Sequence, residues 1–123
     1  MAAGVAAAGL LMVAASANAD DTGRLNTAAP DGYGGYAYWT ENGDKVTACD
    51  TESEGWGVRA YIYTPYAGDP ENGTVLIKVN APSAASGCAS SSVNISETAN
   101  ISLKVCEYAG SWVGYCNYLS IPR

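Results

Sequence analysis

Four cysteines, Cys49, Cys88, Cys106 and Cys116, in a 123-residue chain with no histidine constrain this protein more than any other feature. No two of them form a close C-x-x-C pair and no imidazole can complete a site, so zinc is a poor use for them. An even count in a small exported chain reads as two disulfides, for which three connectivities exist. A hairpin around Ala109-Gly110-Ser111 would set Cys106 beside Cys116, which favours that pair. Cys49 and Cys88 would then close a loop of roughly 40 residues and stabilise the fold by a few kcal/mol.

Export is itself legible. Residues 2–19 carry no charge, are mostly Ala, Leu, Val and Met, and end in Ala17-Asn18-Ala19. An apolar run closed by an A-x-A signature is expected to be a secretory signal peptide over Met1–Ala19, although no Lys or Arg precedes it. The run is short of the ~20 strongly apolar residues a membrane span needs. Cleavage would leave about 104 residues, the size of one domain, with the protein secreted to the extracellular space.

After the signal, Asp20–Gly35 is rich in Gly, Ala, Asp, Asn and Thr and shows no period of 2 or 3.6, which predicts a flexible N-terminal arm. Residues 36–123 read as strands. Tyr36–Thr40 and Lys45–Cys49 flank Glu41-Asn42-Gly43-Asp44, where Asn-Gly supplies the positive φ of a hairpin turn. Val58, Ala60 and Ile62 alternate with Arg59, Tyr61 and Tyr63. Val75, Ile77 and Val79 share one face of Thr74–Asn80. Ala81–Ser92 reads as a Ser/Ala/Gly loop holding Cys88, and Val93–Ser96 as a short strand. Ile101, Leu103 and Val105 mark the next strand, and Trp112–Leu119 the last. About seven short strands with stapling cysteines predict an all-β fold: a small antiparallel β-sandwich with two disulfides and an extended N-terminal arm.

The candidate chemistries fail one by one. Asp50-x-Glu52-x-Glu54-Gly55 begins like a calcium loop, but the closing Glu position falls on Tyr61, so no metal is expected. Glu52 and Glu54 fit the carboxyl spacing of a glycosidase only loosely. Without histidine, Ser-His-Asp and Cys-His nucleophiles cannot be assembled. No catalytic residue and no cofactor are expected. A net charge of −6 with six scattered Lys and Arg argues against nucleic acid and against an anionic membrane surface.

Nine Tyr and three Trp with no Phe remain to be explained. Tyr and Trp join an apolar body to a polar handle, which suits half-wet contact surfaces. The partner-binding candidates are Leu25, Tyr33 and Tyr36 near the arm, and Trp56, Tyr61 and Tyr63 on the sandwich.

The run Gly43–Ala60 joins Cys49-Asp50, an acidic turn, Gly55-Trp56-Gly57-Val58 and Arg59-Ala60. With the Ala/Gly-heavy signal and the late Cys106/Cys116 pair, it resembles small secreted actinobacterial proteins of the Streptomyces type. Within that group it looks most like the adapter subunits of umbrella toxin particles. That resemblance implies a non-catalytic adapter in a secreted antibacterial toxin complex. Its partners would be larger secreted proteins, a repeat-bearing toxin polypeptide and a trypsin-like lectin subunit, with the arm docking into a groove of one of them. Two other readings suit the same residues: a cell-wall or polysaccharide-binding module using the Tyr/Trp surface, and a disulfide-stapled protease inhibitor with Ala81–Ser92 as its reactive loop.

Overall fold

The computed structural model describes residues 21–30, 34–52, 55–64 and 73–123. The expected signal peptide, Tyr33 and Glu54 lie outside these residues. Among the described residues eight strands form: β1 (Leu25–Asn26), β2 (Gly35–Thr40), β3 (Lys45–Asp50), β4 (Gly57–Thr64), β5 (Thr74–Ala81), β6 (Cys88–Ser92), β7 (Ile101–Ala109) and β8 (Trp112–Ile121). They make two four-stranded antiparallel sheets, ordered β1-β2-β3-β6 and β5-β4-β7-β8. The all-β sandwich expected from strand periodicity is the fold observed.

The inner faces follow the two-residue alternation of a strand. Ala37 and Trp39 of β2 and Val46 and Ala48 of β3 meet Val58, Ala60 and Ile62 of β4 and Ile101, Leu103 and Val105 of β7. Trp39 is the largest fully buried side chain. Full burial of each such aliphatic or aromatic group stabilises the fold by about 1.5–3 kcal/mol. Both cysteine pairs are bonded, Cys49 to Cys88 and Cys106 to Cys116, and among the described residues no cysteine is free. Two such bonds are the chemistry of an oxidising compartment. Among the described residues no helix is long and apolar enough to cross a membrane.

Three stretches differ from their sequence reading, each for a physical reason. Cys88–Ser92, read as loop, is strand β6. Its Cys-Ala-Ser-Ser-Ser sequence has no β-branched residue, and the pairing comes from β3, with Cys88 opposite Cys49 and Ser90 sharing a hydrogen bond of 2.8 Å with Thr47. Val93–Ser96, read as strand, is not one. The Ile95 amide donates to the Asp44 carboxylate (2.9 Å) rather than to a neighbouring strand, and the Ile95 side chain is buried.

The third is the arm. Residues 22–27, expected to be flexible, lie along the first sheet, and Ala28 reaches β8 of the second. Leu25 and Asn26 pair with Ala37 and Tyr36, Trp39 exchanges hydrogen bonds with Thr22, and the Thr27 amide donates to the Gly35 carbonyl. β2 is short of a neighbour on this side, and the arm's polar main chain fills that row. Few apolar residues are needed when the ladder itself supplies the partners.

Candidate binding surface

Trp56, Trp112 and Tyr115 converge at one end of the sandwich. Ring centroids lie 5.1 Å apart for Trp56–Trp112, 5.9 Å for Trp56–Tyr115 and 5.4 Å for Trp112–Tyr115, the last edge-on. These are the separations and tilts at which aromatic pairs attract beyond simple burial. The cluster is not core: Trp112 is 42% exposed, and Trp56 and Tyr115 are half-buried.

Local sequence explains each placement. Trp56 stands between two glycines with different duties. Gly55 takes φ +87°, open to glycine and strained for other residues. At Gly57 the demand is space, because a Cβ there would lie 2.6 Å from the Tyr108 ring and 2.9 Å from the Ala81 carbonyl oxygen. Gly57→Ala is therefore expected to push Tyr108 and the start of β4 apart and cost about 1–3 kcal/mol, read in a urea melt. A second readout is a shifted tryptophan emission maximum as Trp56 leaves its partners.

Trp112 opens β8, opposite Ala109 across the Gly110-Ser111 turn, and its indole lies over Gly114, where a Cβ would meet it at 2.5 Å. Tyr115 is aimed by a bulge. The β7–β8 register shifts so that Tyr115 and Cys116 together oppose Cys106, and Tyr115 takes the left-handed conformation at φ +54°. Left-handed backbone at a non-glycine residue costs about 1–2 kcal/mol. The Cys106–Cys116 bond and a hydrogen bond from the Ala28 amide to the Tyr115 carbonyl (2.9 Å) hold it there. Bulges commonly re-aim a side chain toward a functional surface.

Beside Trp56 runs a cleft of about 360 Å3 lined by Asp50, Glu52, Trp56 and the turn Pro82–Ala85. The Asp50 carboxylate accepts from the Glu52 amide at 3.1 Å, which ties together the first residues after β3. Behind the cluster Glu107 is buried, and Thr27 of the former arm donates to its carboxylate at 3.3 Å.

The other partner-binding candidates are dispersed. Leu25 packs against the core from β1. Tyr36 stacks on Tyr38 on the outer face of the first sheet, with the Arg24 guanidinium 4.1 Å above its ring. Tyr61 and Tyr63 sit together on the outer face of the second sheet, 5.0 and 5.8 Å from the Lys104 ammonium, which Tyr118 approaches from the far side at 5.6 Å. Tyr63 is only 6% exposed, so it is a packed residue and not an open contact. Of the described candidates, Trp56 alone joins the exposed cluster. Trp112 and Tyr115 escaped the sequence reading because they lie in an ordinary strand pattern. The signal that would have found them is Gly114, since a glycine inside a strand marks close approach or a bulge.

A second polar constellation lies at the opposite turn. Arg123 inserts a fully buried side chain among Glu41 (2.7 Å), Asp44 (3.0 Å) and Glu97 (3.5 Å). It also donates to the Ser96 carbonyl, and the Trp39 indole donates to Glu41 at 3.0 Å. The three carboxylates come close enough together to hold a metal ion, but the arginine already occupies the space between them. The proposed reactive loop, Ala81–Ser92, consists of the end of β5, a tight turn closed by Ser83–Ser86 hydrogen bonds, and β6.

Comparison with known protein families, curated proteins and solved structures finds no match to this chain. Fold and site define its class on their own terms: a small, doubly disulfide-bonded β-sandwich with a cluster of three aromatic rings at one end.

Proposed function

We propose that this protein is a secreted, non-catalytic adapter that holds larger exported proteins together through its aromatic end. The observation that carries the reading is the Trp56–Trp112–Tyr115 cluster. It exposes indole surface, stands on a strained bulge fixed by a disulfide, and borders an acid-lined cleft. Partly exposed Trp and Tyr are the residues that most often anchor protein contacts. The resemblance of Gly43–Ala60 to the umbrella toxin adapters names the partners to try: a repeat-bearing toxin polypeptide and a trypsin-like lectin subunit.

In an affinity purification from culture supernatant, Trp112→Ala combined with Trp56→Ala is expected to lose those partners while the thermal transition stays cooperative. Full retention of both partners by the folded double variant sinks the reading. Deletion of residues 20–33 is a poorer test, because it also removes Thr22, Leu25 and Thr27, which hold Trp39, Ala37 and Glu107.

A polysaccharide-binding module is the second reading, favoured by the exposed Trp112 indole near a cleft that carries Asp50 and Glu52. Sugars stack on such rings and donate hydroxyls to such acids. A pull-down on insoluble cell wall separates the two: retention on the wall that is lost in Trp112→Ala, with no protein partner recovered, favours the module.

A further inference from the structure

Strand β8 is an edge of the second sheet and runs ten residues from Trp112 to Ile121 with no charged residue and no proline. Natural sheets protect such edges with lysine, proline, shortness or a covering segment. The covering is partial among the described residues. Among the described residues the former arm reaches this strand through Ala28 to the Tyr115 carbonyl and through Asn117, whose amide side chain donates to the Asn26 carbonyl at 2.8 Å. Of the six large hydrophobic residues exposed among the described residues, four lie on β8: Trp112, Val113, Tyr118 and Leu119. Neither of the edges on the opposite flank matches it. β6 is five residues long, and β5 carries Lys78 and lies against β6.

We infer that β8 pairs antiparallel with β8 of a second copy of this chain, making one continuous eight-stranded sheet across a two-fold axis. Charge selects this occupant. At a net charge of −6, two copies repel one another as whole molecules, so a self-contact falls where charge is absent. An uncharged edge has no charge to offer a basic or acidic segment, yet it meets its own copy with no like charges opposed. Directly opposed residues must share a face, so the pairing that centres on Leu119 sets it against its own copy, with Tyr118 opposite Ser120 and Asn117 opposite Ile121. Leu119 and Ser120 are both exposed in the single chain.

The geometry has a consequence for assembly. Trp112 lies seven positions from Leu119, so at ~3.4 Å per residue the two aromatic ends of a dimer stand roughly 48 Å apart at opposite ends of the joint sheet. The dimer is therefore bivalent, with each end free for its own partner.

Sedimentation equilibrium of the disulfide-intact protein over micromolar to millimolar concentration tests this directly, with the protein itself as probe. The expected result is a reversible monomer–dimer equilibrium that tightens when salt is raised to physiological strength, because the mutual repulsion is screened. Leu119→Lys and Ser120→Lys, two substitutions on opposite faces of the strand, are each expected to weaken dimerisation at least roughly tenfold while the thermal melt stays cooperative. Amide exchange over residues 117–121 should slow as concentration rises. A monomer at every concentration, or a dimer untouched by both lysines, overturns the inference. The assay contains no partner protein, so its outcome is independent of the adapter reading.

Discussion

Arg123→Met is expected to destabilise the protein by about 3–5 kcal/mol, the usual cost of removing one side of a buried ion pair. The guanidinium is fully buried, and Glu41 and Asp44 are nearly so, so the carboxylates left behind face one another without their cation. The lost contact is also a long-range one. Arg123 ties the β2–β3 turn to residues 96–100 and to the end of β8, its own amide donating to the Asn100 side chain at 2.7 Å. It lies over the Trp39 ring as well, 5.6 Å from its centroid. Arg123→Lys should recover only part of the loss, since a single ammonium cannot reproduce a fork that spans two carboxylates and a carbonyl. Urea midpoints of the three proteins decide the matter, and an unchanged midpoint in Arg123→Met would show the cluster to be ornamental.

The same cluster sets a pH dependence with two opposite signs. Burial opposes the charged form of Glu41, but hydrogen bonds from Arg123 and Trp39 outweigh it and hold the carboxyl below its usual 4.5. A lowered carboxyl stabilises the fold above that value and loses the contribution as pH falls through the folded one. Glu97 is shifted the other way, first by its hydrogen bond to Glu41. A raised carboxyl stabilises the fold at low pH and loses the contribution as pH rises through its folded value. Glu97→Gln should therefore remove the decline on the neutral side and leave the acid-side loss in place. Urea midpoints taken at intervals between about pH 3 and pH 7 read both limbs.

Arg123 also shows why the sequence reading reached the fold more easily than the site. Strand periodicity is local: Val58-Ala60-Ile62 and Ile101-Leu103-Val105 declare their buried faces without knowing their neighbours, and all six are fully buried or nearly so. Cys106 and Cys116 could be paired because a hairpin is local too. The Arg123 cluster joins residues about 80 positions apart, and no spacing rule links them. Trp56, Trp112 and Tyr115 come together only once β4 and β8 flank β7 and the bulge has turned Tyr115. The pairing of the extended arm escapes the sequence for a related reason. Composition measures the ability to bury side chains, whereas Leu25 and Asn26 are held by main-chain pairing to a strand that needed a neighbour. The hairpin turn shows a smaller case, since positive φ falls at Gly43 and Asp44 rather than at Asn42 and Gly43. Asp44 is drawn there by what its side chain does, accepting from Ile95 and pairing with Arg123.

The two disulfides are expected to separate stability from binding. Cys49 and Cys88 lie 39 residues apart, and Cys106 and Cys116 lie 10 apart. Loop-closure entropy then assigns about 4 kcal/mol to the first bond and about 2.7 kcal/mol to the second. Replacing Cys49 and Cys88 by alanine should cost the larger share, because among the described residues β6 is joined to the sheet by β3 alone, and it has few side chains of its own to hold it. The aromatic end does not depend on that bond, so any folded fraction should still present Trp56, Trp112 and Tyr115. The Cys106→Ala/Cys116→Ala pair should behave in the opposite way. It costs less in a urea melt, yet it frees the bulge at Tyr115 from the neighbouring strand, and a residue at φ +54° has every reason to relax toward ordinary strand geometry. Near-ultraviolet circular dichroism of the aromatic cluster, followed beside partner capture, should fall in this variant at temperatures where the fold is intact. If instead both double variants lose stability and binding in the same proportion, the late disulfide is a second staple and the bulge is held by packing alone.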